Sequence, residues 1–389
     1  MVSSIWSPSP PALTRIEEAG IVLGALLSPL WFFTTLGVNL NPADYVLVLV
    51  TASFVLRTGF LPYSISREAW LAIFVFLGIV GFSVLWSSNK IGGLLSFAQY
   101  LFIFVAVVPI VSHGLRDRST RWKVFLAIWG ATTVLTLLGI YTFVTGDAQR
   151  YRDIMLWYGN QNQFFWLVAS GFICSVALAL EDSLPTAVRL AVIVLAAVQA
   201  GLIVGGLTLS AVVMVAGGMW LFSAYLAQRR SRRAIAAFSL GTVLAGVAGL
   251  AFVVTNWEFV YVQGSLHARI PQYTTAIRLG VEHFPLGMGI DVYFQSVHNF
   301  FLNYFVEVGI VGATAFLALV VSWGRDVLLR SIRYSPRIAP FEFAFIAIFG
   351  AYVLVMVFQP VPVRRFWWVP FGASWAIVQD RFGTPTPKV

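Results

Sequence analysis

Long apolar runs alternate with short polar connectors from residue 19 almost to the end of the chain. Runs near twenty residues are long enough to cross a hydrocarbon core of about 30 Å as helices. About twelve spans are predicted, at 19–38, 44–56, 69–87, 91–112, 124–146, 164–180, 190–206, 210–226, 235–254, 300–322, 343–358 and 366–379. The runs are continuous and do not alternate with period two, which excludes a transmembrane β-barrel. The expected fold class is therefore all-α, a polytopic membrane protein forming a single transmembrane domain over 1–389. The second and last runs are short for a full crossing. The seventh and eighth form one apolar stretch, divided at "VGGLTLS", where two glycines and polar residues favour a turn.

Composition supports this pattern. Hydrophobic residues make up 59% of the chain and charged residues only 11%, against roughly a quarter charged in a soluble domain. The N-terminal "MVSSIWSPSPPALTRIEEAG" lacks the charged, apolar, small-residue order of a cleaved signal. The single cysteine, Cys174, excludes a disulfide framework and a cysteine-ligated metal cluster.

The net charge of +9 is distributed unevenly. With the N-terminus inside, 18 of the 25 basic residues fall on the inner connectors, including the "QRRSRR" run at 228–233. This follows the positive-inside rule and predicts that both termini are cytoplasmic. The arginines are scattered over short connectors, so no face is expected to bind nucleic acid. The exceptions are Lys90, Arg150, Arg152, Arg269, Arg278, Arg364 and Arg365, which fall outside. Four of them sit in the two longest outer connectors, 147–163 and the 45-residue segment Thr255 to Asn299. Connectors of that length are often functional, and two functional outer loops are expected. The second is rich in aromatic residues, glycine and proline, and is expected to fold back onto the membrane face.

The outer connectors carry arginines, three histidines (His267, His283, His298) and few acids. They contain no His-x-x-x-His pair, cysteine cluster or Asp-x-Asp, so no metal is expected. A glycine elbow around a serine and a Walker-type loop are also missing from the sequence. Outer arginines suit a polyanion, because the guanidinium fork binds phosphate oxygens and stays charged. A histidine at a cavity mouth suits a general base or a hydroxyl orienter. Such residues would serve transfer from a diphosphate leaving group to an acceptor hydroxyl, with arginines in place of a metal ion. The plainer alternatives are arginines contacting lipid head groups and a structural interfacial histidine. On these grounds an outward-facing enzyme and a transporter stand level.

The stretch "HNFFLNYFVEVGIVGAT" reads His298-Asn299, nine residues, then Gly309-Ile310-Val311-Gly312. This resembles the His-Asn-x9-Gly-x-x-Gly signature of the O-antigen ligase and polymerase superfamily. Upstream, "RIPQYTTAIRLGVEHFPLGMG" is similar to that family's Arg-x-x-x-aromatic and His-x-Pro-Leu-x-Gly-x-Gly patterns, through Arg269, Tyr273, Phe284, Pro285, Leu286, Gly287 and Gly289. "RDIMLWYGNQN" resembles its Arg followed by Gly-Asn-x-Asn, through Arg152, Gly159, Asn160 and Asn162. Arg269 to Gly280 and Arg278 to Gly289 both fit an Arg-x10-Gly spacing. The resemblance covers roughly residues 150 to 315. One departure stands out: where the family shows Ser-Arg-Gly, this chain has Ser210-Ala211-Val212, so Arg150, Arg278, Arg364 or Arg365 would have to replace the missing arginine.

The resemblance implies a metal-independent, cofactor-free membrane glycosyltransferase of the bacterial inner membrane, with its active site facing the periplasm. It implies a glycan on undecaprenyl diphosphate as donor, and lipid A-core (ligase) or a growing polysaccharide (polymerase) as acceptor. His298 would be the catalytic residue. Arg152, Arg269, Arg278 and Arg150 would bind the diphosphate; Asn299, Tyr273, Asn160 and Asn162 would contact glycan or acceptor. No carboxylate stands out as a covalent nucleophile, which points to inversion. Glu307 lies about two and a half helical turns below His298 and is expected to support the site as a buried partner of an arginine. Gly309 and Gly312 are expected to let another helix pack close. The histidine motif leans to ligase and the missing arginine to polymerase. A lipid-linked glycan transporter and a non-catalytic membrane subunit are the other readings.

Overall fold

The computed structural model describes residues 12–29, 33–35, 38–59, 65–147, 156, 161–206, 208–230, 266–292, 297–357 and 365–382, with scattered positions between 233 and 255. Its elements are α1 (Arg15–Leu27), β1 (Phe33–Thr35), β2 (Val38–Leu40), α2 (Pro42–Thr58), α3 (Arg67–Ser83) and α4 (Lys90–Gly114). Then come α5 (Arg118–Val144), α6 (Gln161–Ala179), α7 (Thr186–Gly205), α8 (Leu209–Arg230), α9 (Leu266–Glu282), α10 (Phe300–Arg333), α11 (Pro340–Met356) and α12 (Arg365–Phe382). Helix starts are encoded locally. Asn41 and Asp44 form a capping box with Pro42 in the first turn, Ser66 caps α3, Asn89 caps α4 and Asp117 caps α5. α2 stops at Gly59, whose φ of 77° is the left-handed C-cap that glycine adopts at little cost.

The chain is a helical membrane protein. Among the described residues, six helices are long and apolar enough to cross a membrane: α4, α5, α6 from Asn162, α7, the Ser210–Arg229 part of α8, and α10. Of the twelve or so spans expected, these six qualify on length and composition among the described residues. α2, α3 and α11 have 17 residues each, about 25 Å of helix, shorter than the hydrocarbon core. The expected span at 235–254 lies largely outside the described residues. The expected span at 19–38 is corrected: it is helical only to Leu27 and then forms an antiparallel hairpin that pairs Phe33 with Leu40. Pro29 follows the helix end, and β-branched Thr34, Thr35 and Val38 favour the strands. The division at "VGGLTLS" falls where the helix breaks, between Gly205 and Leu209.

Helix packing builds one continuous apolar core. α3 runs along α10, α8 along α11, α6 along α7, and α11 against α12. One end of the bundle is pinned by a buried charge cluster. Arg121, fully buried at the start of α5, reaches Glu342 at 2.8 Å and Asp380 at 2.7 Å. It also donates to the carbonyls of Leu115 (2.9 Å) and Arg116 (2.7 Å). Arg381 adds a second cation to Glu342 at 3.2 Å. Arg121 and Arg381 thus tie α4, α5, α11 and α12 together besides weighting their connectors with positive charge. The opposite end carries the sequence-predicted site.

Candidate functional site

α9 occupies the middle of the long 255–299 connector and packs against the first half of α10. Its faces are set by helical phase. Arg269, Tyr273, Ala276 and Gly280 recur at i, i+4, i+7 and i+11 and share one face. That face is the packed one: Ala276 is fully buried in a small cluster with Val297 and Val306, and a Cβ on Gly280 would strike the Phe305 ring. The eleven-residue step from Arg269 to Gly280 amounts to a rotation of only about 20°. This spacing therefore places the arginine on the α10-facing side, with Gly280 letting the helices close.

Arg269 and Tyr273 meet one turn apart. The Tyr273 hydroxyl donates to the His298 carbonyl at 2.8 Å and interacts with the Arg269 guanidinium. Burial pushes the Tyr273 phenol up from its usual range, against the opposing pull of Arg269. Arg269 Nε is buried without a hydrogen-bond partner among the described residues. Its charge is thus held near the mouth of the site with donor capacity to spare. His298 is half-buried immediately before α10. Asn299, expected to touch glycan or acceptor, is the N-cap of α10, and its Oδ1 accepts from the Leu302 N–H at 2.9 Å.

Arg278 lies elsewhere. Nine residues separate it from Arg269, a rotation of about 180°, so it projects from the opposite face of α9. It is exposed and approaches Glu282 at 3.9 Å. The Arg278–Gly289 match to the spacing therefore has no common face behind it. Arg150, Arg152 and Asn160 lie outside the described residues. Asn162 begins α6, where its Oδ1 accepts from Ser210 Oγ at 3.4 Å, while Ser210 accepts from Trp166 Nε1 at 2.9 Å. Asn162 and Ser210 thus stitch α6 to α8.

The two loop glycines and the α10 glycine build a backbone junction beneath His298. α10 is interrupted at Gly309, with φ 66° and ψ −173°, a region reached almost only by glycine. The carbonyls of Val306 and Glu307, in the turn before the break, accept from Met288 N (2.8 Å) and Gly289 N (2.9 Å) of the loop. A Cβ on Gly287 would lie 2.5 Å from Gly309 N, and one on Gly309 would strike the Pro285 carbonyl. Gly309 is therefore corrected: it admits a loop into a helix break, not a neighbouring helix. Gly312 does face α3, with Ile79 Cγ2 3.2 Å from where its Cβ would stand.

The turn between α3 and α4 clamps the same loop. Trp86 Nε1 donates to the Gly287 carbonyl at 3.2 Å, Ser87 Oγ to the Ile290 carbonyl at 2.9 Å, and Asn89 Nδ2 to Asp291 Oδ2 at 3.0 Å. Sequence reasoning missed these three residues. Their only local signal is the polar cluster "WSSNK" between two apolar runs. Burial pushes the Asp291 carboxyl up. Glu307 is buried under the junction, near enough to Tyr100 and Tyr304 to act on both electrostatically. The hydroxyls of those tyrosines share a short hydrogen bond.

The arrangement offers a half-buried guanidinium, a phenol that couples it to the histidine's backbone, and a ring at the end of a rigidly held helix. It sets a cationic donor next to the backbone of a titratable residue. Among the described residues no three His, Cys, Asp or Glu side chains gather into a metal-binding group. Comparison of the chain with protein families, curated proteins and solved structures gives no match.

Proposed function

We propose that this protein is a metal-independent, inverting membrane glycosyltransferase. It moves a glycan from undecaprenyl diphosphate to an acceptor hydroxyl at the outer face of a bacterial inner membrane, with both termini cytoplasmic. The observation that carries the reading is the convergence of Arg269, Tyr273 and His298, three residues separated by up to 29 positions, at one helix end. The sequence resemblance supplies the chemistry; this convergence is what the chemistry requires.

In the proposed reaction the acceptor oxygen attacks the anomeric carbon as the bond from that carbon to the phosphate oxygen breaks. His298 accepts or orients the hydroxyl proton. Arg269, joined by Arg152, neutralises the departing diphosphate. Arg278 is left out of this shell because it points away. Exposed Ile277, Val281, Phe284 and Leu286 around α9 and its following turn offer an apolar surface for the polyisoprenyl carrier.

Lipid A-core is the favoured acceptor, which makes the protein an O-antigen ligase. One observation keeps a repeat-unit polymerase open: Ala211 stands fully buried where the family carries an arginine. Purified protein supplied with lipid-linked glycan and either acceptor tests both readings. Appearance of ligated lipid A-core supports ligase, and lengthened lipid-linked glycan supports polymerase. Counterflow of the donor with no covalent product contradicts both.

A further inference from the structure

The end of α10 opposite His298 holds a groove of about 780 Å³ lined by Arg325, Arg330, Arg333 and Arg337. Arg325 is committed to Asp326 at 2.8 Å, with Glu68 at 3.9 Å. Among the described residues, no carboxylate lies within ion-pair distance of Arg330, Arg333 or Arg337. Tyr334 holds two of them in place: the guanidinium carbons of Arg333 and Arg337 sit 5.7 and 5.9 Å from its ring centroid. The Phe382 ring, 5.1 Å from that of Tyr334, closes the groove with the last turn of α12. Three like charges gathered in one concavity repel each other unless an anion joins them.

The surface leading to the groove indicates what kind of anion fits. α10 has 34 residues, about 51 Å of helix, so its final turns extend beyond the hydrocarbon core into the head-group layer. Leu317, Val321 and Leu329 are exposed along it, spaced by four or eight residues, and Arg325 and Arg333 continue the same series. A π-helical stretch, Gly324–Leu329, adds a residue to the local turn and keeps this stripe aligned. An apolar track thus runs down the helix into a basic groove at head-group depth.

We infer that this groove is a binding site for an anionic phospholipid bearing two phosphates, of the cardiolipin class, in the adjacent leaflet. Its acyl chains lie along Leu317, Val321 and Leu329. Its phosphates receive the guanidinium forks of Arg330, Arg333 and Arg337. The inference concerns the far end of the bundle and does not depend on the reaction proposed above.

The test uses full-length protein in a neutral detergent, titrated with cardiolipin, with phosphatidylglycerol at matched charge, or with inorganic phosphate. Native mass spectrometry reads bound lipid and thermal unfolding reads protection. Wild type is expected to retain cardiolipin selectively. Each arginine removed is expected to lower the affinity about fivefold, so R330Q/R333Q/R337Q loses on the order of a hundredfold. R330K/R333K/R337K keeps the charge but not the forks, is expected to fall between the two, and serves if the glutamine variant does not fold. Equal cardiolipin binding by wild type and both variants overturns the inference. Equal binding of phosphatidylglycerol overturns it in favour of a non-selective anchor, and protection by inorganic phosphate in place of lipid overturns it in favour of a soluble-anion site.

Discussion

Replacing Gly309 with alanine tests the junction that carries His298. A side chain at φ 66° and ψ −173° costs about 1–3 kcal/mol in backbone strain. The new Cβ would also strike the Pro285 carbonyl and come within 2.6 Å of the Leu286 carbonyl carbon. Backbone atoms cannot swing aside, so the loop must leave the break. Leaving forfeits the hydrogen bonds from Met288 and Gly289 to Val306 and Glu307, about 1 kcal/mol each. The local loss is about 3–5 kcal/mol, enough to open the loop while the apolar core persists. Hydrogen exchange of residues 285–291 in lipid nanodiscs is expected to accelerate on the order of a hundredfold or more. Gly312→Ala is the control. Its Cβ would strike Val308 Cγ2 and Cβ and meet Ile79 Cγ2, side-chain atoms of α10 and α3 and none of the loop backbone, and alanine's higher helix propensity offsets part of the cost. Unchanged protection in Gly309→Ala, or equal loss in both variants, would refute the reasoning.

Three further outcomes follow from the same geometry. Tyr273→Phe removes the 2.8 Å donor to the His298 carbonyl, about 1 kcal/mol, and is expected to slow transfer about fivefold while thermal unfolding stays near wild type. Burial raises the Asp291 carboxyl, so its contribution to stability is present below the unfolded-state pKa and lost as pH rises through the folded-state value. Asp291→Asn keeps an acceptor for Asn89 and tolerates the φ of 61°. It is expected to raise the unfolding temperature at neutral pH and to match wild type below the carboxylate range; a pH-independent difference would count against this. Arg121→Leu leaves buried Glu342 with Arg381 at 3.2 Å as its one remaining ion pair among the described residues, beside the Ala339 N–H at 3.1 Å, a loss of about 3–5 kcal/mol. Adding Glu342→Gln is expected to restore most of it in detergent unfolding assays.

Much of the helical architecture is legible in the apolar runs, because burial and span length both write themselves as runs. Caps such as Asn41, Ser66 and Asn299 act within one turn and are encoded locally, but Asn299 reads in the sequence as a substrate contact and not as a cap. The paired strands at 33–35 and 38–40 were hidden because they continue the apolar run of α1 with no charged residue between. The α10 break was hidden because Gly309 reads equally well as a packing residue; only the loop that enters it, 20 residues upstream, reveals its conformation. Helical phase separates candidates that sequence spacing left equal. Arg269 shares a face with Gly280 and Tyr273, whereas Arg278, matched by the same spacing to Gly289, points away. Trp86, Ser87 and Asn89 were illegible because their partners lie more than 200 positions along the chain. Glu307 sits close to two tyrosines that composition alone does not bring together.

The most direct measurement is single-turnover transfer by purified protein in liposomes, with lipid-linked glycan as donor and lipid A-core as acceptor, comparing wild type with His298→Ala and Arg269→Ala. The account predicts product from wild type, a loss on the order of a hundredfold or more for His298→Ala, and a comparable loss for Arg269→Ala at unchanged thermal stability. Full turnover by His298→Ala would contradict it.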